Sequence, residues 1–129
     1  MTLAGQLNIH SYKNLHTQEI QTVPLFVHDE LQADLVVVPP GGSIARHVHA
    51  HEDELFDVVE GTGAFEVGER RFAGNPGRCV FVPAGTSHAL HNDADAPWVL
   101  RITFHKAVIP RHVGHILLRA LRRKLRLSD

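Results

Sequence analysis

The spacing of four side chains constrains this sequence more than any other feature. His47, His49 and Glu54 stand in Gly41-x5-His47-x-His49-x4-Glu54-x6-Gly61, and His88 stands in Gly77-x5-Pro83-x-Gly85-x2-His88-x3-Asn92. Three imidazoles and a carboxylate form a ready ligand set for a divalent first-row metal. Side chains alternate faces along a strand, so His47 and His49 point the same way. A turn across residues 50–53 lets Glu54 enter from the next strand, and Pro83-Ala84-Gly85 turns the chain so that His88 arrives from a third. Groups so separated converge only if the sheet curls around them.

The rest of the pattern agrees with a curled sheet. Residues 23–27, 33–38, 44–49, 55–59, 64–67, 70–72, 79–82, 87–91 and 98–105 read as short strands. Pro39-Pro40-Gly41-Gly42, Gly61-Thr62-Gly63, Gly68-Glu69 and Asn75-Pro76-Gly77 punctuate them. Short strands with close Gly/Pro punctuation predict an all-β barrel or sandwich. Residues 1–22 are mixed and polar and read as a loose arm or edge strand. After Pro110 the period changes. Val113, Ile116, Leu117, Ala120, Leu121 and Leu125 recur at helical spacing, with Arg119, Arg122, Arg123 and Arg126 on the other side. The expected organisation is an N-terminal arm over 1–22, a barrel over 23–105 and a basic amphipathic C-terminal helix within 106–129.

The paired motifs resemble those of the cupin superfamily, with every fixed position filled: Gly41, His47, His49, Glu54 and Gly61, then Gly77, Pro83, Gly85, His88 and Asn92. The 15 residues between Gly61 and Gly77 resemble the short intermotif segment of small, single-domain microbial cupins. The likeness extends over about residues 25–105. It implies a double-stranded β-helix, or jelly-roll barrel. It also implies one divalent transition metal (Mn, Fe, Co, Ni, Cu or Zn) held by His47, His49, Glu54 and His88, and a homodimer paired through its sheets. Cupins include oxygenases, isomerases, lyases and non-enzymatic binders, so the family alone leaves the chemistry open.

Bulk properties narrow the partners. At 129 residues and 43% hydrophobic content, the chain fits one domain with a modest core. No apolar stretch is long enough to span a bilayer, and residues 1–10 lack a basic-then-apolar signal layout, so the cytoplasm is the expected address. Residues 1–105 carry 6 Lys/Arg against 13 Asp/Glu, whereas 106–129 carry 7 Lys/Arg against one acid. An acidic barrel is a poor nucleic-acid binder. The basic helix is expected to pack its apolar stripe on the barrel or on a second subunit, with an anionic membrane surface as a lesser alternative. The single cysteine, Cys79, excludes an intrachain disulfide and lies in an apolar run that reads as a buried strand.

Strand phase then defines a pocket. Phe56 and Val58 follow Glu54 on its face, Leu90 follows His88, and Leu100, Ile102 and Phe104 share one face of the last strand with Trp98. This lining is apolar. No Arg or Lys falls in phase with the ligands, and no second carboxylate stands out beside Glu54. His51 shares the parity of His47 and His49 but falls in the turn, Glu52 and Asp53 read as turn carboxylates, and His91 is out of phase with His88. An apolar pocket beside an open metal position suits a small aromatic, enol or diketone-like substrate. Similarity to quercetinase-like cupins implies a metal-dependent oxygenase in which Glu54 doubles as catalytic base. A non-oxidative isomerase, cyclase or lyase and a non-catalytic binding or regulatory module are the alternatives.

Overall fold

Alternation along each strand sorts this chain into two faces, and the computed structural model, which describes residues 4–106, shows how those faces meet. Nine strands lie among the described residues: β1 (Gln21–His28), β2 (Leu31–Val38), β3 (Ser43–His47), β4 (Glu52–Glu60), β5 (Gly63–Val67), β6 (Arg70–Gly74), β7 (Cys79–Val82), β8 (His88–His91) and β9 (Trp98–Lys106). They form a five-stranded sheet ordered β1-β2-β9-β4-β7 and a four-stranded sheet ordered β3-β8-β5-β6. The pairings are antiparallel. The strands end close to where the sequence predicts, but β4 starts at Glu52, inside the expected turn, and β3 stops at His47, short of His49. Pro24 interrupts the β1–β2 register and is accommodated because β1 is an edge strand.

The core forms between the sheets. Val36, Val38, Phe56, Val58, Val80, Val82, Trp98, Leu100 and Ile102 come from the five-stranded sheet and meet Phe65 and Leu90 from the four-stranded one. A second cluster of Leu35, Val37 and Val99 lies on the outer side of β2 and β9, where Ile9, Val23, Leu25 and Val59 pack over it. Thus β2 is buried on both faces, which explains its continuous apolar run. Ile9 belongs to a single 3-10 turn, Ile9–Ser11, so part of the polar arm serves as a cover for that outer face.

Two details hold the barrel closed. The Asn92 amide donates to the Val38 carbonyl at 3.0 Å and the Ala96 carbonyl at 2.9 Å, while its oxygen accepts from Ala94 N at 3.0 Å. Asn92 is therefore a fully buried staple, a stronger form of the turn role its motif position suggests. The Trp98 indole donates to the Gly74 carbonyl at 3.0 Å and lies against Gly63, where a Cβ would stand 2.4 Å from the ring.

Cys79 departs from expectation. β7 alternates with Val80 and Val82 inward and Cys79 and Phe81 outward, so the thiol is exposed rather than buried in the core. Partial burial and the neighbouring Asp57 carboxylate still push its pKa up, which keeps it a thiol. The C-terminal helix predicted within residues 106–129 lies outside the described residues, apart from Lys106, which ends β9. Among the described residues no helix is long and apolar enough to cross a membrane.

Candidate metal centre

The two sheets bring the four motif side chains to one end of the barrel. His47 closes β3 and faces His88, the first residue of β8, directly across the ladder, with ring centroids 4.2 Å apart. The pairing shifts register between Ile44 and His47, a local irregularity of the kind that re-aims side chains at functional sites. His49 lies beyond the end of β3, on the connection to β4, yet its ring stays 4.9 Å from His47 and 5.6 Å from His88. Glu54 comes from the opposite sheet and is 2% exposed. One ligand atom from each residue lies within 4.8 Å of the others.

Local hydrogen bonds aim these groups. His47 Nδ1 lies 2.7 Å from the Ala45 carbonyl and His88 Nδ1 lies 2.9 Å from the Thr86 carbonyl. A carbonyl only accepts, so in both rings Nδ1 carries the proton and Nε2 presents a lone pair. This backbone anchoring of the remote nitrogen is the usual device for orienting metal-binding imidazoles. Glu52 Oε2 stands 3.9 Å from His49 Nδ1, too far for a hydrogen bond but close enough to favour a donor there. The carrying loops are tied together: Gly85 N donates to the His49 carbonyl at 2.8 Å, and Ala84 N donates to Asp53 Oδ1 at 2.8 Å. Gly85 adopts φ +86°, a conformation that favours glycine.

The electrostatics are unbalanced in a way that a cation corrects. Glu54 Oε1 and His88 Nε2 are buried without a hydrogen-bond partner. Nevertheless Glu54 Oε1 is 2.7 Å from His49 Nε2 and 3.5 Å from His88 Nε2. The first contact has the length of a hydrogen bond without its angles. The second is a bond only when His88 is cationic, since a neutral ring has committed its proton to Thr86. Burial pushes His88 toward the neutral form, but the Glu54 carboxylate and the Thr86 carbonyl outweigh it and raise its pKa. Converging buried acceptors are costly unless a proton or metal ion sits among them. The donor set and its orphaned atoms therefore fit a divalent cation.

A cavity of about 150 Å³ opens beside this cluster. His47, His49 and Glu54 form one end of it. Phe56, Leu90, Ile102 and Phe104 line its wall, whereas Val58 and Leu100 do not: both are buried in the packed core. Their strand phase is right, but they lie one inward position beyond Phe56 and Ile102 and pack within the core cluster. Val36, Ile44, Thr22 and Asp34 also line the cavity and were not expected to. Asp34 adds a second carboxylate to the cavity, across strand β9 from Glu54 rather than beside it. Its signal was a lone acid within the apolar run of residues 33–38, in phase with Val36 and Val38. His51 is exposed and outside the cluster, and His91 turns away to pair with Glu66 at 3.4 Å.

The family model of the cupin domain matches residues 34–104. The chain belongs to the cupin family. Its described part has the expected double-stranded β-helix architecture, and this cupin superposes on a protein from Thermus thermophilus with a TM-score of 0.74 at 24% identity, covering 79% of this chain and 97% of that one. A sugar phosphate isomerase of the cupin superfamily from Silicibacter pomeroyi is 28% identical, with a TM-score of 0.56, over 61% of this chain and 52% of that one. A mannose-1-phosphate guanylyltransferase from Salmonella muenchen is 37% identical over 62 residues, or 48% of this chain. The match spans only 13% of that enzyme's length.

Proposed function

We propose that this cupin binds one divalent transition metal through His47, His49, Glu54 and His88 and acts on a small hydroxy-carbonyl compound by proton transfer, without net oxidation. The observation that carries this reading is the pair of buried, partnerless acceptors, Glu54 Oε1 and His88 Nε2, inside a four-donor cluster at the end of a cavity. A metal ion bound there supplies Lewis-acid polarisation of a substrate oxygen. Glu54 lines the cavity, and in this reading its second oxygen takes the proton from the carbon next to the carbonyl. His47 and His88, with Nδ1 anchored on backbone carbonyls, hold their positions as charge changes beside them.

Size and lining support a small substrate without an anionic group. A cavity of 150 Å³ has the volume that encloses about one benzene ring, so a three-ring flavonol would project from it. The Silicibacter and Salmonella proteins are both named for sugar phosphates. Among the described residues lining this cavity there is no Lys or Arg to hold a phosphate, which favours an unphosphorylated relative of such compounds. The apolar wall of Val36, Ile44, Phe56, Leu90, Ile102 and Phe104 favours a second reading, an oxygenase acting on a small enol or single-ring substrate.

Incubating the metal-loaded protein with a panel of short 2-hydroxy aldehydes, hydroxy-ketones and β-diketones in deuterated water tests both. Deuterium entering a substrate carbon under argon, and lost in Glu54→Gln, is the expected result. Oxygen uptake matching substrate loss would move the assignment to the oxygenase. Binding without either change would leave a non-catalytic binding module.

A further inference from the structure

The cavity has a polar feature that the metal cluster does not use. Asp34 is 6% exposed and lines the same space as His47, His49 and Glu54. It lies on β2, beside Ile102 of β9, and Ile102 in turn lies beside Phe56 of β4. The two carboxylates are thus separated by a whole strand and one step along it, on the order of 10 Å between backbones. Ile102 and Phe104 wall the interval between them.

Asp34 is a largely buried acid with a single side-chain hydrogen bond. Its Oδ1 accepts from Gln32 Nε2 at 2.9 Å. Among the described residues no Lys, Arg or His forms an ion pair with it within 4.0 Å. A carboxylate offers about four acceptor sites, so one hydrogen bond leaves capacity for a ligand in the cavity that Asp34 lines. Val36 and Val38, the next inward residues on β2, show what this position would hold if packing alone decided it. Thr22 on neighbouring β1 adds a hydroxyl at the same end.

We infer that Asp34 is a substrate-binding residue that selects for a hydrogen-bond donor, a hydroxyl or an ammonium, at the end of the substrate remote from the metal. This rests on the metal reading proposed above and deepens it. The substrate class becomes a short molecule with oxygen donors for the metal at one end, an apolar middle against Ile102 and Phe104, and a donor group for Asp34 at the other. Gln32 positions Asp34 by holding one of its oxygens, which leaves the other for the ligand.

Three isosteric metal-binding probes test it by calorimetry on the zinc-loaded protein: butanohydroxamate, 3-hydroxypropanohydroxamate and β-alanine hydroxamate, with their homologues one carbon shorter. The donor-ended probes should bind the wild type roughly tenfold or more tightly than the alkyl-ended isostere. Asp34→Asn should remove the ammonium preference and keep the hydroxyl preference, which separates the two sources of the donor. Asp34→Val should remove both, bind the alkyl probe at least as well as wild type and melt no lower, so loss of fold is not mistaken for loss of contact. Equal binding of all isosteres by the wild type, or a donor preference that survives Asp34→Val, overturns the inference while the metal reading stands. A wild type that takes up neither metal nor any hydroxamate overturns both.

Discussion

At the scale of single residues, His88 links the site to pH. Its Nδ1 proton is committed to Thr86, so any proton on Nε2 occupies the direction a metal would take. Because its pKa is raised, His88 of the metal-free protein holds its second proton to higher pH than a free imidazole does, and the stability this contributes is present at low pH and lost as pH rises through the raised value. Metal binding needs the neutral ring, so affinity should fall about tenfold per pH unit as pH drops below that value. Melting curves from pH 5 to 8 with chelator and with excess zinc are expected to show the metal-induced increment shrinking on acidification. His88→Ala should lower metal affinity by more than about 100-fold, read as metal content after dialysis beside wild type. Asn92 belongs to the same scale but serves stability. Removing its amide strands the Val38 and Ala96 carbonyls in the interior, and Asn92→Ala should cost about 2–3 kcal/mol in urea unfolding.

At the scale of elements, the contact between β5 and β9 explains a glycine that lies outside the fixed motif positions. Gly63 opens β5 with the Trp98 ring where its side chain would be, and Gly74, opposite it on β6, lies against the same ring. Trp98 is fully buried and cannot swing aside. Gly63→Ala is expected to destabilise the protein by about 1–3 kcal/mol through overpacking, with zinc affinity unchanged because the metal cluster is built elsewhere. A parallel loss of zinc affinity would mean that the two ends of the barrel are coupled. The loops at the metal end act as one unit. Asp53 holds the backbone of Ala84, and Gly85 holds the carbonyl of His49. The start of β4, the short segment before it and the turn before β8 thus constrain one another.

At the scale of the whole molecule, a metal that binds only the folded barrel stabilises it by mass action, about 2.7 kcal/mol at a free concentration 100-fold above Kd. Thermal melts should therefore rise by several degrees with zinc and return with chelator; a melting point indifferent to metal would contradict the site. The outer face of the five-stranded sheet carries a row that follows the register, Phe81–Leu55–Thr103–Ala33–Phe26, apolar except for Thr103, with Phe81 56% and Phe26 49% exposed. A homodimer paired through this face is expected, with a light-scattering mass near twice the 14.3 kDa of the chain. Phe81→Glu should halve that mass, and a wild type that is already monomeric would refute the pairing.

The primary structure determined what depends on short spans. Motif spacing located the four donor residues, strand parity put them on inward faces, and Gly/Pro punctuation bounded most strands, because each is governed by neighbours a few residues apart. Parity failed locally at Cys79, where the choice between core and solvent faces belongs to the sheet, and at His49, which reaches the cluster from beyond its strand. Only the tertiary structure decided where space remains. Asp34 meets Ile102, 68 positions along the chain, through strand pairing, and Val58 and Leu100 pack into the core cluster instead of lining the cavity. A cavity is volume left unfilled by side chains from distant segments, so its lining follows from long-range register and layer packing, which no local pattern encodes.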